Sequence, residues 1–163
     1  MDVFIIRHAI AEVASHDAPD SERALTDKGR RRFKAVVEIL DSLDVQFDQI
    51  LTSPWRRAAG TAEMLTRLGG DVVVTDLLAM TPGEPLLERL HSIRGEQASV
   101  ACVGHEPWMS ELASLLLFGE RAAADKIPFK KGGVAWLQGN ALRGGMELRA
   151  LLPPRWSRDL SER

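Results

Sequence analysis

Two histidines and up to three arginines carry the chemistry that this sequence suggests: Arg7-His8, the Arg56-Arg57 pair after Ser53-Pro54-Trp55, and Gly104-His105-Glu106. Arginine forks match the oxygens of a tetrahedral phosphoryl group and stay charged at any working pH. A neutral histidine near pH 7 is a competent nucleophile or base. Neither histidine has a Cys or Asp partner at ligand spacing, so the set points away from a metal centre and no cofactor is expected. Phosphoryl transfer needs mainly positioning and charge stabilisation, which two arginines and a cationic histidine can supply. Each piece alone has a blander reading. Arg-His after a strand, a Ser-Pro helix start with solvated arginines, and a Gly-His-Glu-Pro turn are all ordinary. Their common position is what carries weight.

That position follows from the elements around them. Val3 to Ile6 is a continuous apolar run, as in a strand buried on both faces. Phe47–Thr52, Val72–Thr75 and Val100–Val103 predict three more strands. Helical spacing runs through Phe33, Val36, Val37, Leu40 and Leu43 behind a Thr26 N-cap, and again through Ala58 to Leu68, ending at Gly69-Gly70. A short helix is predicted over Leu86–Ile93 and another after Pro107, with Trp108 placed in the core. Val134–Leu137 and Met146–Leu152 predict an antiparallel hairpin. Strands alternating with helices imply a three-layer α/β/α sandwich with a mostly parallel central sheet and an antiparallel C-terminal hairpin. With 163 residues and no linker or repeat, residues 1–163 are expected to form a single domain. Ligands of open α/β sheets sit outside the C-terminal strand ends. The predicted strand ends deliver Arg7, His8, the Arg56-Arg57 pair and His105 to that same rim. Residues 9–26 form a loop long enough to suspect function.

Composition narrows the partners. A net charge of −2 argues against a nucleic-acid partner, and the Arg30-Arg31-Arg32 run reads as a solvated helix face. No apolar run is long enough to span a bilayer, and Asp2 stands where a secretion signal wants a base. A cytoplasmic monomer without a membrane partner is the expectation. The single cysteine, Cys102, lies in an apolar run and reads as a core thiol. His16 and His91 lack the context of the other two histidines and read as structural.

Arg7-His8-Ala9 resembles the Arg-His-Gly signature of the histidine phosphatase superfamily, also called phosphoglycerate mutase-like. Ser53-Pro54-Trp55-Arg56-Arg57-Ala58 through Thr61-Ala62 resembles its Ser-Pro-x-x-Arg-Ala-x-Gln-Thr-Ala segment, and Gly104-His105 its strand-end Gly-His. The three occur in the family's order. Arg23-Ala24-Leu25-Thr26 to Gly29 and Leu78 to Gly83 resemble the compact SixA-type phosphohistidine phosphatase branch. The resemblance implies a hydrolase in which His8 is the nucleophile, with Arg7, Arg57 and His105 on the phosphoryl oxygens. It makes Ser53, Arg23 and Glu106 candidates for substrate binding, and an oxyanion is the expected occupant. Ala9 departs from the family glycine and Gly60 from its glutamine, the latter with a possible change in the pocket wall. Ala79 stands where other branches carry an acidic proton donor, leaving Glu84, Glu106 or no residue as the general acid. Expelling an alkoxide demands such an acid, whereas a departing imidazole needs only a proton available near pH 7. The expected substrate is therefore a phosphohistidine-bearing protein. A small-molecule phosphate monoesterase and a non-catalytic phosphate-binding module are the alternatives.

Overall fold

The computed structural model describes residues 1–93 and 97–154. Six strands form one sheet in the order β3-β2-β4-β1-β5-β6: β1 (Asp2–Arg7), β2 (Gln49–Thr52), β3 (Asp71–Val74), β4 (Ser99–Gly104), β5 (Val134–Gly139) and β6 (Met146–Leu152). The first four strands in that order are parallel, while β5 runs antiparallel to β1 and β6 antiparallel to β5. Four helices flank the sheet: α1 (Asp27–Ser42), α2 (Arg56–Leu65), α3 (Glu84–His91) and α4 (Trp108–Phe118).

Strand side chains alternate between faces, and β1 uses both. Val3 and Ile5 pack with α3 and α4, whereas Phe4 and Ile6 pack with α1 and α2. This double burial explains why the run is continuously apolar, and it makes the fold the expected three-layer sandwich. Cys102 lies in the first of these cores, where burial pushes its thiol pKa up to about 12. Among the described residues no helix is long and apolar enough to cross a membrane.

Some boundaries differ from the sequence pattern. Phe47 precedes β2 rather than starting it, because its side chain meets Phe4 edge-on at 5.2 Å and its backbone N–H bonds Leu68. The helix α2 tightens into a 3-10 turn at Thr66–Leu68 before Gly69. Trp136 is half-buried and stacks on Phe4 at 5.3 Å. Trp156 and the polar tail beyond Pro154 lie outside the described residues.

The pairing register matters most for the site. Arg7 pairs with Gly104, and Thr52 with Val103, so β1 and β4 end level and β2 ends one residue earlier. The ladder then continues one residue further, with His8 N–H bonding Gly104 at 2.9 Å and Ser53 N–H bonding Val103 at 3.0 Å.

Residues 9–26 are tied at their base. The Thr26 hydroxyl caps α1 by accepting from Gly29 N–H at 3.0 Å and donates to the Ile10 carbonyl at 3.2 Å. Ala11 bridges Leu25, and a short 3-10 turn at Asp20–Glu22 stands at the far end of the loop. Gly29 allows this closure, since a Cβ there would sit 2.0 Å from the Ile10 carbonyl oxygen. Gly29→Ala must therefore push the loop away. Crowding of this kind costs about 1–3 kcal/mol, and urea denaturation should show that loss. An unchanged midpoint would mean the contact carries no constraint.

Candidate active site

His8 lies just past the end of β1 and is buried. Its Nδ1 is 2.7 Å from the Ala9 carbonyl, which can only accept, so Nδ1 carries the proton and Nε2 the lone pair. That lone pair accepts from Arg57 Nε at 3.1 Å. Arg57, in the first turn of α2, is buried as well. Its other edge is held by Asp20, with Nη1 donating to the backbone carbonyl and Nη2 to Oδ2 at 2.8 Å. The guanidinium also lies over the Trp55 ring, 4.6 Å from its centroid. Thr61 pins α2 to the His8 segment: its hydroxyl donates to the Arg57 carbonyl and accepts from Ala9 N–H at 3.0 Å.

His105 follows β4, and its ring centroid is 5.1 Å from that of His8. Its Nε2 lies 2.8 Å from the Ser53 hydroxyl, which accepts from Trp55 N–H and turns its own proton to Nε2, so Nδ1 carries the proton of the neutral ring. The His105 Nδ1 and the Arg7 Nε are buried without a hydrogen-bond partner. Unpaired buried donors are rare in proteins. Here two of them border one pocket of about 400 Å³, as a site for an oxyanion requires.

Desolvation is the main force on the titrating groups. Burial, with the charges of Arg57, Arg7 and Lys131 adding to it, pushes the His8 pKa down to about 4 despite its bond to Ala9. Burial and the neighbouring His8 push His105 to about 3. Both rings are thus neutral at pH 7. Burial also lowers the pKa values of Arg7 and Arg57, with Glu106 opposing it at Arg7 and Asp20 opposing it at Arg57. At Asp20 itself burial raises the pKa, but the hydrogen bonds and charges of Arg23 and Arg57 outweigh it and keep the carboxyl below its ordinary value.

The structure brings Arg7, His8, Arg57 and His105 together around one pocket. Ser53 lies at its base, bonded to His105. Arg23 stands on the rim, paired with Asp20 at 2.7 Å and donating to the Glu12 carbonyl. Glu106 lines the wall, but its oxygens accept from Ser110 N–H, the Ser110 hydroxyl and Phe129 N–H, so it ties α4 to the segment before β5. Arg56 is exposed and lines a separate depression together with Gly60, so the loss of the family glutamine leaves this pocket's wall untouched. Glu84 pairs with Arg143 and does not line the pocket, nor do Asp76 and Ala79. Trp108 is only half-buried and faces the pocket as well as the core, a correction to its expected placement. Among the described residues no group of three His, Cys, Asp or Glu is arranged to hold a metal.

Two pocket residues escape sequence reasoning. Asp20 carries one available signal, an acid three residues before Arg23 inside an overlong loop. Lys131 precedes β5, and the antiparallel direction of β5 brings the start of that strand to the rim where β1 ends.

The model of the histidine phosphatase superfamily (branch 1) matches residues 3–79. An uncharacterized protein of the cyanobacterium Picosynechococcus sp. is 35% identical, over 96% of this chain and 98% of its own. The chain belongs to the histidine phosphatase superfamily. The structure of the protein histidine phosphatase SixA complexed with tungstate is 27% identical, with a TM-score of 0.80 over 95% of this chain and 98% of that one. Phosphoserine phosphatase from Entamoeba histolytica, solved with 3-phosphoglyceric acid, is 16% identical with a TM-score of 0.70 over 93% and 96%, and shares the fold. As a phosphatase of this superfamily the chain has phosphoryl hydrolysis as its chemistry.

The depressed histidines make stability depend on pH. Unfolding returns each ring to a pKa near 6.5, so between that value and about 4 for His8, or about 3 for His105, the unfolded state binds more protons. Stability is full above pH ~6.5 and falls as pH drops through that window. The urea midpoint should decline from pH ~6.5 to ~4.5, still above the ordinary carboxylate range. A His8→Asn, His105→Asn double variant should flatten the slope. The same slope in the double variant would contradict the assignment.

Proposed function

We propose that the protein hydrolyses phosphohistidine in proteins through a covalent phospho-His8 intermediate. The observation that carries this reading is a buried, neutral His8 whose Nε2 lone pair faces Arg57, in a pocket where the two lining carboxylates are both engaged. Asp20 is held by two arginines, and Glu106 accepts from Ser110 N–H and Phe129 N–H beside the Ser110 hydroxyl, so both carboxyl groups are engaged within the protein and turned away from a leaving group. An alkyl ester cannot leave well from such a pocket, but an imidazole can.

In the first step His8 Nε2 attacks phosphorus in line. The P–N bond of the substrate breaks, and its electron pair goes to the departing imidazole nitrogen, which takes a proton from solvent. Arg57 shifts its Nε–H from the His8 lone pair to a phosphoryl oxygen. Arg7 Nε and His105 Nδ1 supply the donors that stand unpaired in the free protein. The arriving dianion also raises the pKa of His105 and favours its cationic form. In the second step water attacks phospho-His8, the P–Nε2 bond returns its pair to the ring, and phosphate departs. The pocket residues all come from one chain, so the reading needs no second copy.

The test is hydrolysis of a phosphohistidine-bearing protein and of aryl and alkyl phosphates, with a chelator present. Phosphohistidine should be lost preferentially, aryl esters slowly, and alkyl esters hardly at all. His8→Ala should abolish turnover. Arg57→Ala should cost at least ~2 kcal/mol of transition-state stabilisation, read from kcat/KM. Fast alkyl-ester hydrolysis would overturn the substrate assignment, and normal turnover in either variant would overturn the residue roles.

A further inference from the structure

A second cavity, of about 630 Å³, adjoins the phosphoryl pocket and shares Arg7 and Lys131 with it. It lies between α1 and the segment that leads into β5. Arg32 and Lys130 complete a set of four cations around it, and among the described residues no carboxylate lines it. The side chains of Arg32, Lys130 and Lys131 make no ion pair or hydrogen bond with any described residue, and all three residues are exposed. The floor is apolar, built from Phe33, Val36 and Pro128. Of the exposed Arg30-Arg31-Arg32 run on α1, Arg32 faces this groove, while Arg30 lines the separate depression beside α2.

This one-signed groove belongs to a chain with a net charge of −2. Unpaired cations gathered in one place repel each other and lower stability, so a solvated face alone would not concentrate them there. A groove with charged walls and an apolar floor matches an amphipathic acidic segment, since complementary charge sets register and speeds encounter. Its position matters equally. Sharing two residues with the phosphoryl pocket, the groove lies alongside whatever carries a phosphoryl group to His8.

We propose that this groove receives an acidic segment flanking the phosphohistidine of the substrate protein, its carboxylates on Arg32, Lys130 and Lys131 and an apolar side chain on the Phe33–Val36–Pro128 floor. The proposal rests on the phosphohistidine reading above and adds which phosphohistidine proteins are taken.

Three probes test it: synthetic peptides with one phosphohistidine flanked by glutamates, the same peptides flanked by lysines, and phosphoimidazole, which has no flanks. The protein should hydrolyse the acidic peptide with a kcat/KM at least about tenfold above the basic one, within the range that electrostatic steering supplies. That preference should collapse in about 0.5 M NaCl, where charges are screened within a few ångströms. Arg32→Glu with Lys130→Glu should abolish or invert it while phosphoimidazole turnover persists. The milder Arg32→Ser, Lys130→Ser pair serves if the charge reversal does not fold, and should remove most of the preference. Equal rates for the two peptides in the unaltered protein, or a preference untouched by either double variant, would overturn the groove alone. Failure to hydrolyse phosphoimidazole and both peptides would instead overturn the phosphohistidine reading beneath it.

Discussion

Three neighbouring parallel strands that end within one residue of each other are the constraint on which everything else rests. With Arg7 opposite Gly104 and Thr52 opposite Val103, the residues that follow β1 and β4 emerge at one height and the residue that follows β2 one step below them. Those residues are His8, His105 and Ser53. Their backbones are still tied to the ladder, so the two imidazoles are held 5.1 Å apart before any ligand arrives. A slip of one residue would turn each side chain to the other face. The apolar residues of β1 are sorted between two separate cores, which makes such a slip costly. Core packing therefore sets the geometry of the pocket.

The second theme is charge held in reserve. The pocket gathers three arginines, a lysine and two histidines, and burial alone makes that set unfavourable. The protein responds by keeping both rings neutral and by giving Arg57 an anionic partner in Asp20. The carboxylate bridges Arg57 and Arg23 much as a bound oxyanion would. Donors without partners remain at Arg7 Nε and His105 Nδ1. A phosphoryl group entering this pocket replaces lost hydration with preformed bonds, which is the efficient form of electrostatic catalysis.

Much of this was legible in the residues. The alternation of strands and helices fixes the layers, and Thr26, Pro107 and the glycines mark the element ends. Residues after parallel strands meet at one pocket, where the rule about C-terminal strand ends leads the sequence reader to look. Lys131 escapes for the same reason, since it stands at the start of an antiparallel strand. Asp20 escapes because its role depends on where a long loop folds back, and loop paths have no periodicity. Trp108 is misplaced because an indole in an apolar helix looks like core from sequence, while its start-of-helix position opens it to the rim. Glu106 reads as a candidate acid from its place beside His105, and only the structure reveals its three donors.

The central claim is that His8 Nε2 takes the phosphoryl group. Rapid mixing with phosphoimidazole, alkaline quench and mass mapping of the resulting peptides tests it most directly. The account predicts one added phosphoryl mass on the peptide containing His8, appearing before steady state and absent in His8→Ala. Turnover that proceeds with no phosphoryl group on His8 at any quench time would contradict it.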